Sequence, residues 1–90
     1  MYYQEVMIAP MVINPRSIDP AWKQVGQILA NMINTGKLPK GERIPSEAEL
    51  MSDYQVGRTT ARKAVEYLRD LGLVETQPGR GTYVRQPPGT

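Results

Sequence analysis

The sequence contains no cysteine and no histidine. Disulfides and thiolate chemistry are therefore excluded, and the usual zinc ligands are missing. The Ser-His-Asp and Cys-His nucleophile systems are excluded as well. No apolar run approaches the roughly 18 residues that a membrane span requires. The first residues, Met1-Tyr2-Tyr3-Gln4-Glu5, lack the basic lead of a secretory signal. These absences set the expectations: no catalytic residues, no metal, no cofactor, no membrane partner and a cytoplasmic location. Positive charge is not abundant either, since the net charge is only +2. For a nucleic-acid binder the distribution of charge matters more than its sum.

The 90 residues suffice for one small domain. Three stretches are expected: an arm over 1–18, a domain over 19–85, and a tail or linker over 86–90. In the arm, Val6, Met7, Ile8, Met11, Val12 and Ile13 are apolar, but Pro10 and Pro15 interrupt them. The arm reads as an extended segment, packed or frayed, or as a dimerisation strand, or as residues upstream of a start at Met7 or Met11.

A first helix is signalled by Asp19 as N-cap and Pro20 at the first helical position. Ala21, Trp22, Val25, Ile28, Leu29, Met32 and Ile33 then recur at spacings of three and four, one apolar stripe that runs up to Gly36. Trp22 belongs to that stripe and is expected in the core. Residues 37–45, with two prolines and a glycine, read as a loop. Ser46 followed by Glu49 is a capping-box pattern and opens a short second helix. Leu50, Met51 and Tyr54 form its inner side, with Tyr54 half buried. After Gln55-Val56-Gly57, a third helix runs from Arg58 to Leu71. Its inner face is Ala61, Ala64, Val65, Leu68 and Leu71. Arg58, Thr59, Arg62, Lys63, Glu66, Arg69 and Asp70 face outward, with Arg69 structural or solvent-facing, or paired to Glu66 or Asp70. Two β-rich segments, 73–77 and 82–85, flank Pro78-Gly79-Arg80-Gly81 and read as a hairpin.

Short helix, tight turn and second amphipathic helix make a helix-turn-helix. In that motif the second helix lies in the major groove and reads bases from its N-terminal end. That end here is Arg58-Thr59-Thr60-Ala61-Arg62-Lys63. Arginine donates bidentately to guanine, and a threonine methyl can meet a thymine methyl. Lys63 suits a phosphate. Between its two glycines, Arg80 is placed to enter a narrow minor groove, whose negative potential favours arginine.

Residues 20–85 resemble the DNA-binding domain of the gluconate-repressor-type (GntR) regulators. Four stretches carry the resemblance: Pro20-Ala21-Trp22-Lys23-Gln24-Val25, Gly41-Glu42-Arg43-Ile44-Pro45-Ser46-Glu47, Val56-Gly57-Arg58-Thr59-Thr60-Ala61-Arg62-Lys63-Ala64, and Leu71-Gly72-Leu73-Val74 with Gly79-Arg80-Gly81-Thr82-Tyr83-Val84. The resemblance implies an α+β winged helix-turn-helix, a three-helix core plus a β-hairpin wing. It implies a homodimer on a palindromic double-stranded DNA operator, with transcriptional repression as the usual outcome. By position it implies base or phosphate contacts from Arg58, Thr59, Thr60 and Arg62, a phosphate beside Ser46, and a minor-groove approach by Gly79 and Arg80.

Two residues depart from the family pattern. Ala48 stands where arginine is common, and Gly57 stands where a serine or threonine usually caps the recognition helix. Family members also usually carry a C-terminal domain that senses a small molecule and dimerises. The 90 residues are then a complete small regulator, dimerising through residues 1–19, the first helix or DNA itself, or they are one domain of a longer chain. No small-molecule effector is expected to bind within them. A protein-interaction module is the competing class, and it would lose the arginines of the third helix or expose an apolar face there.

Overall fold

In the computed structural model, residues 13–85 are described. Helix α1 spans Ala21–Asn34. It begins one residue later than its sequence signals suggest. Pro20 stays extended at ψ 160° and occupies the N-cap position with no side-chain cap bond, so Asp19 is not the cap. The side chain of Gln24 provides the anchorage instead. Its amide donates to the carbonyls of Asn14 and Asp19, both at 2.9 Å, and accepts from the Asn14 N–H at 2.8 Å. One glutamine thus fastens the end of the arm to the first helix. Within that end Ile13 packs on the core, whereas Ile18 is exposed. The earlier apolar residues of the arm, and the tail at 86–90, lie outside the described residues.

Helix α2 covers Glu47–Tyr54 and starts with the predicted capping box. The Ser46 hydroxyl accepts from the Glu49 N–H at 3.1 Å, and the Glu49 carboxylate accepts from the Ser46 N–H at 2.8 Å. Gln55 closes the helix in the left-handed conformation at φ 57°. Helix α3 covers Arg58–Asp70 and buries Ala61, Ala64, Val65 and Leu68. Leu71, expected on that inner face, is instead half exposed at 52% because it lies beyond the last helical turn.

The two strands, β1 (Val74–Gln77) and β2 (Gly81–Val84), pair antiparallel with Val74 opposite Val84 and Thr76 opposite Thr82. The stretch read from sequence as a plain loop adds a third edge to this hairpin. Gly41 N–H donates to Val84 O, Val84 N–H to Glu42 O, and Ile44 N–H to Thr82 O, all at 2.8–2.9 Å. Arg43 faces Tyr83 in an isolated antiparallel bridge. Gly41 and Pro45 bracket a pairing too short to leave an alternating pattern.

Side chains from all three helices, from the wing and from this third edge meet in one core. Val25, Leu29, Ile44, Leu50, Tyr54, Leu68, Val74 and Val84 are among its members, and no polar or charged residue is buried among the described residues. Burying one such aliphatic side chain is worth about 1.5–3 kcal/mol. Tyr54 is more deeply buried than its position suggests, and burial pushes its phenol pKa up, with the nearby Asp53 charge adding to the effect. Helices α1 and α3 pack closely at Gly26. A methyl group there would run into the Tyr67 ring, with Cγ and Cε2 only 3.1 Å away. Trp22, expected in the core, is only half buried and lies outside the core cluster; it meets the same ring edge-on, centroids 5.9 Å apart at 62°, at the margin of the α1–α3 contact.

Candidate nucleic-acid interface

The start of α3 is positioned by the turn before it. Gln55, Val56 and Gly57 carry the chain out of α2, and Gly57 holds the N-cap with φ −82° and ψ 173°. It offers no side-chain cap bond. Arg58, Thr59 and Arg62 are exposed on the first turns. The one ion pair among the described residues is Lys23 with Asp19, so neither Arg58 nor Arg62 is paired with an acidic side chain there. At about 100° per residue, Arg58, Arg62 and Arg69 fall within about 40° of one another and form a single strip along α3.

Other predicted site residues on α3 lie apart from that strip. Thr60 is half buried. Lys63 is exposed but lines a recess with Trp22, Glu66, Tyr67 and Asp70, on the side where α1 packs. The structure therefore places Arg58 and Arg62 on one strip, Thr59 and Lys63 exposed to one side of it, and Thr60 half buried.

Ser46 is half buried at the start of α2. Its oxygen accepts from the Glu49 N–H within the capping box. Glu49 is fully ionised at neutral pH. The Ser46 N–H bond holds its carboxyl below the usual carboxylate range, helped by the Ser46 hydroxyl and the Arg43 charge. Ser46 and Ala48 line a cleft whose other walls are Arg43, Arg69, Thr76 and Thr82. The start of α2, the C-terminal half of α3 and the wing thus line one cleft.

The wing tip is a turn with the type II signature. Arg80 N–H donates to Gln77 O at 2.9 Å, Pro78 takes the second position, and Gly79 takes the third at φ 77°. Gly79 and Arg80 are exposed at the end of the hairpin. Two further arginines join them, Arg43, which sequence reasoning gave no role, and Arg69, which it read as structural or solvent-facing. The aliphatic stem of Arg43 crosses Gly81, where an added methyl would lie 3.0 Å from Cδ. Arg69 turns from its acidic neighbours and donates from Nη2 to Thr76 Oγ1 at 2.7 Å. For Arg43 the only sequence signal is its place between Gly41 and Pro45. For Arg69 the nearby Glu66 and Asp70 are misleading partners.

Residues 21–84 match the family described as bacterial regulatory proteins, gntR family. The chain belongs to the gntR family. Its gntR relatives include the histidine utilization repressor of Klebsiella aerogenes, 38% identical over 76 residues, which cover 83% of this chain and 32% of the relative. The HTH-type transcriptional repressor YtrA of Bacillus subtilis is 34% identical over 74 residues, covering 82% of this chain and 57% of the relative. The chain spans about a third of the length of several such relatives. Among solved structures, the AraR DNA-binding domain in complex with operator ORX1 is similar with a TM-score of 0.74 and 38% identity, over 81% of this chain and 93% of that one. YtrA from Sulfolobus acidocaldarius, a GntR-family transcription factor, gives a TM-score of 0.79 and 32% identity, over 86% and 81% of the two chains. The winged helix-turn-helix read from the sequence is the fold of this gntR domain, and the family is one of regulators and not of enzymes.

Proposed function

We propose that this gntR domain reads a specific duplex DNA sequence as the operator-binding part of a transcriptional regulator, most simply a repressor. The observation that carries the reading is the exposed, unpaired pair Arg58 and Arg62 at the start of the second helix of a helix-turn-helix. Arg58, Thr59 and Arg62 read base edges in the major groove. Ser46, Thr60 and Lys63 contact flanking phosphates, and the wing tip, Gly79 and Arg80, enters the adjacent minor groove. Two copies bind a palindromic operator, in the cytoplasm, and no small-molecule effector binds within these 90 residues. The similar domain of AraR, in complex with its operator, supports the DNA reading.

Fluorescence anisotropy with a labelled duplex across a salt series tests the claim. Affinity is expected to fall linearly with log salt, with a slope near 0.9 per phosphate neutralised. Replacing Arg58 and Arg62 by alanine should remove about 1–3 kcal/mol of base discrimination for each arginine. The melting temperature should hold, because both side chains are exposed. Equal affinity of wild type and double variant for every duplex would contradict the reading.

A further inference from the structure

Arg69 lies on the same strip as Arg58 and Arg62, seven residues beyond Arg62 and so about 10 Å further along the helix axis. Its guanidinium meets neither Glu66 nor Asp70 but crosses to the wing, where it donates to the Thr76 hydroxyl at 2.7 Å. Thr76 in turn shares a hydrogen bond with Thr82 at 3.2 Å, on the opposite strand. Thr76 and Thr82 are register partners, one step below the Gln77–Gly81 pair that closes the tip. One arginine on the recognition helix therefore grips both strands of the wing just beneath Arg80.

No other side-chain hydrogen bond joins α3 to the wing among the described residues. The wing is otherwise fixed at its base, where Val74 and Val84 are buried and Arg85 N–H donates to Leu73 O at 2.9 Å. The third edge supports β2 as far as Thr82. Beyond that the backbone pairing of the third edge ends and the stem of Arg43 packs at Gly81; a two-stranded hairpin with so little support is marginal in water.

We propose that Arg69 is a positioning residue for minor-groove reading. Through Thr76 and Thr82 it fixes the wing tip at one angle to the Arg58–Arg62 strip, so that helix and wing engage the DNA in one register. The inference rests on the DNA reading above and concerns how its two probes are coupled. Arg69 acts through Arg80 and not by touching DNA itself.

The test uses Arg69→Met, which keeps the apolar stem, and Thr76→Val, which keeps the shape and the strand preference. Each is measured by anisotropy on a duplex selected by the wild-type chain, alone and in an Arg80→Ala background. With Arg80 present, each change should weaken binding about 3- to 10-fold, the worth of one hydrogen bond. With Arg80 removed, neither should cost anything further. The salt slope should be that of the wild type for both. A readout without DNA accompanies this: 15N order parameters at Gly79 and Gly81 should fall in Thr76→Val while those of α3 stay put. Equal losses from Arg69→Met in both backgrounds, with a shallower salt slope and no effect of Thr76→Val, would overturn the proposal and make Arg69 a direct phosphate contact. No loss from either variant would also overturn it. If Arg80→Ala alone binds as wild type, the minor-groove reading fails, and the coupling fails with it.

Discussion

Arg58 sits where helix electrostatics disfavour a cation. A helix N-terminus carries partial positive charge and prefers acidic side chains in its first turn. Helix α2 obeys this with Glu47 and Glu49, whereas α3 has no acidic residue there and begins with arginine. Local rules broken at one place in an otherwise consistent domain point to function. Gly57 adds to the same pattern by leaving α3 without a side-chain cap. Nothing lies within 4 Å of a methyl placed there, and φ −82° suits any residue. Gly57→Ser should therefore stabilise the domain by a few tenths of a kcal/mol. A differential scan should show a melting temperature higher by about 1–3 °C, whereas a drop would mean that the cap geometry is wrong. Glu49 gives a prediction of opposite kind. Its folded pKa is depressed, so its stabilising contribution is complete above the ordinary carboxylate pKa. That contribution disappears as pH falls through the lowered value. Glu49→Gln keeps an acceptor for the Ser46 N–H but does not titrate. Melting temperature followed from neutral to acid pH should fall less steeply for the variant, and parallel curves would remove the capping-box carboxylate from the acid response.

Among the elements, α2 was the most legible, because Ser46 and Glu49 announce its start and the observed cap bonds are those of the pattern. The wing was legible from Pro78, Gly79 and Gly81, whose turn demands are local. The start of α1 was read one residue early because Asp19 and Pro20 form a favourable cap pair on their own. The Gln24 bonds to Asn14 and Asp19 join residues up to ten positions apart and leave no periodic trace. The third edge at Arg43 and the Arg69–Thr76 bond were invisible for the same reason, since each depends on a neighbour from another element. The crossing of α1 and α3 was hidden too. Gly26 sits within the helix, where alanine would be favoured by about 1 kcal/mol. The Tyr67 ring blocks that methyl, and Trp22 limits how far the ring can yield. Overpacking costs about 1–3 kcal/mol, so Gly26→Ala should lower the melting temperature. In a Tyr67→Ala background the same change should become neutral or stabilising. A loss of equal size in both backgrounds would show that the glycine serves something other than this contact.

At the scale of the whole molecule, one core, with no buried charge among the described residues, holds Ser46, Arg69 and the wing residues Thr76 and Thr82 around one cleft. The weak net charge of +2 fits that arrangement, because exposed arginines in the right place matter more than their excess over acids. The chain spans about a third of the length of several relatives. The central claim is that α3 reads sequence, and its most direct test is selection from a random pool of duplexes at moderate salt, followed by sequencing of what is retained. The account predicts one enriched motif, a palindrome with half-sites about a helical turn or its multiple apart if two copies bind together. It also predicts that the motif is lost for the Arg58→Ala, Arg62→Ala variant. Retention with no enriched motif, or the same motif from that variant, would contradict it.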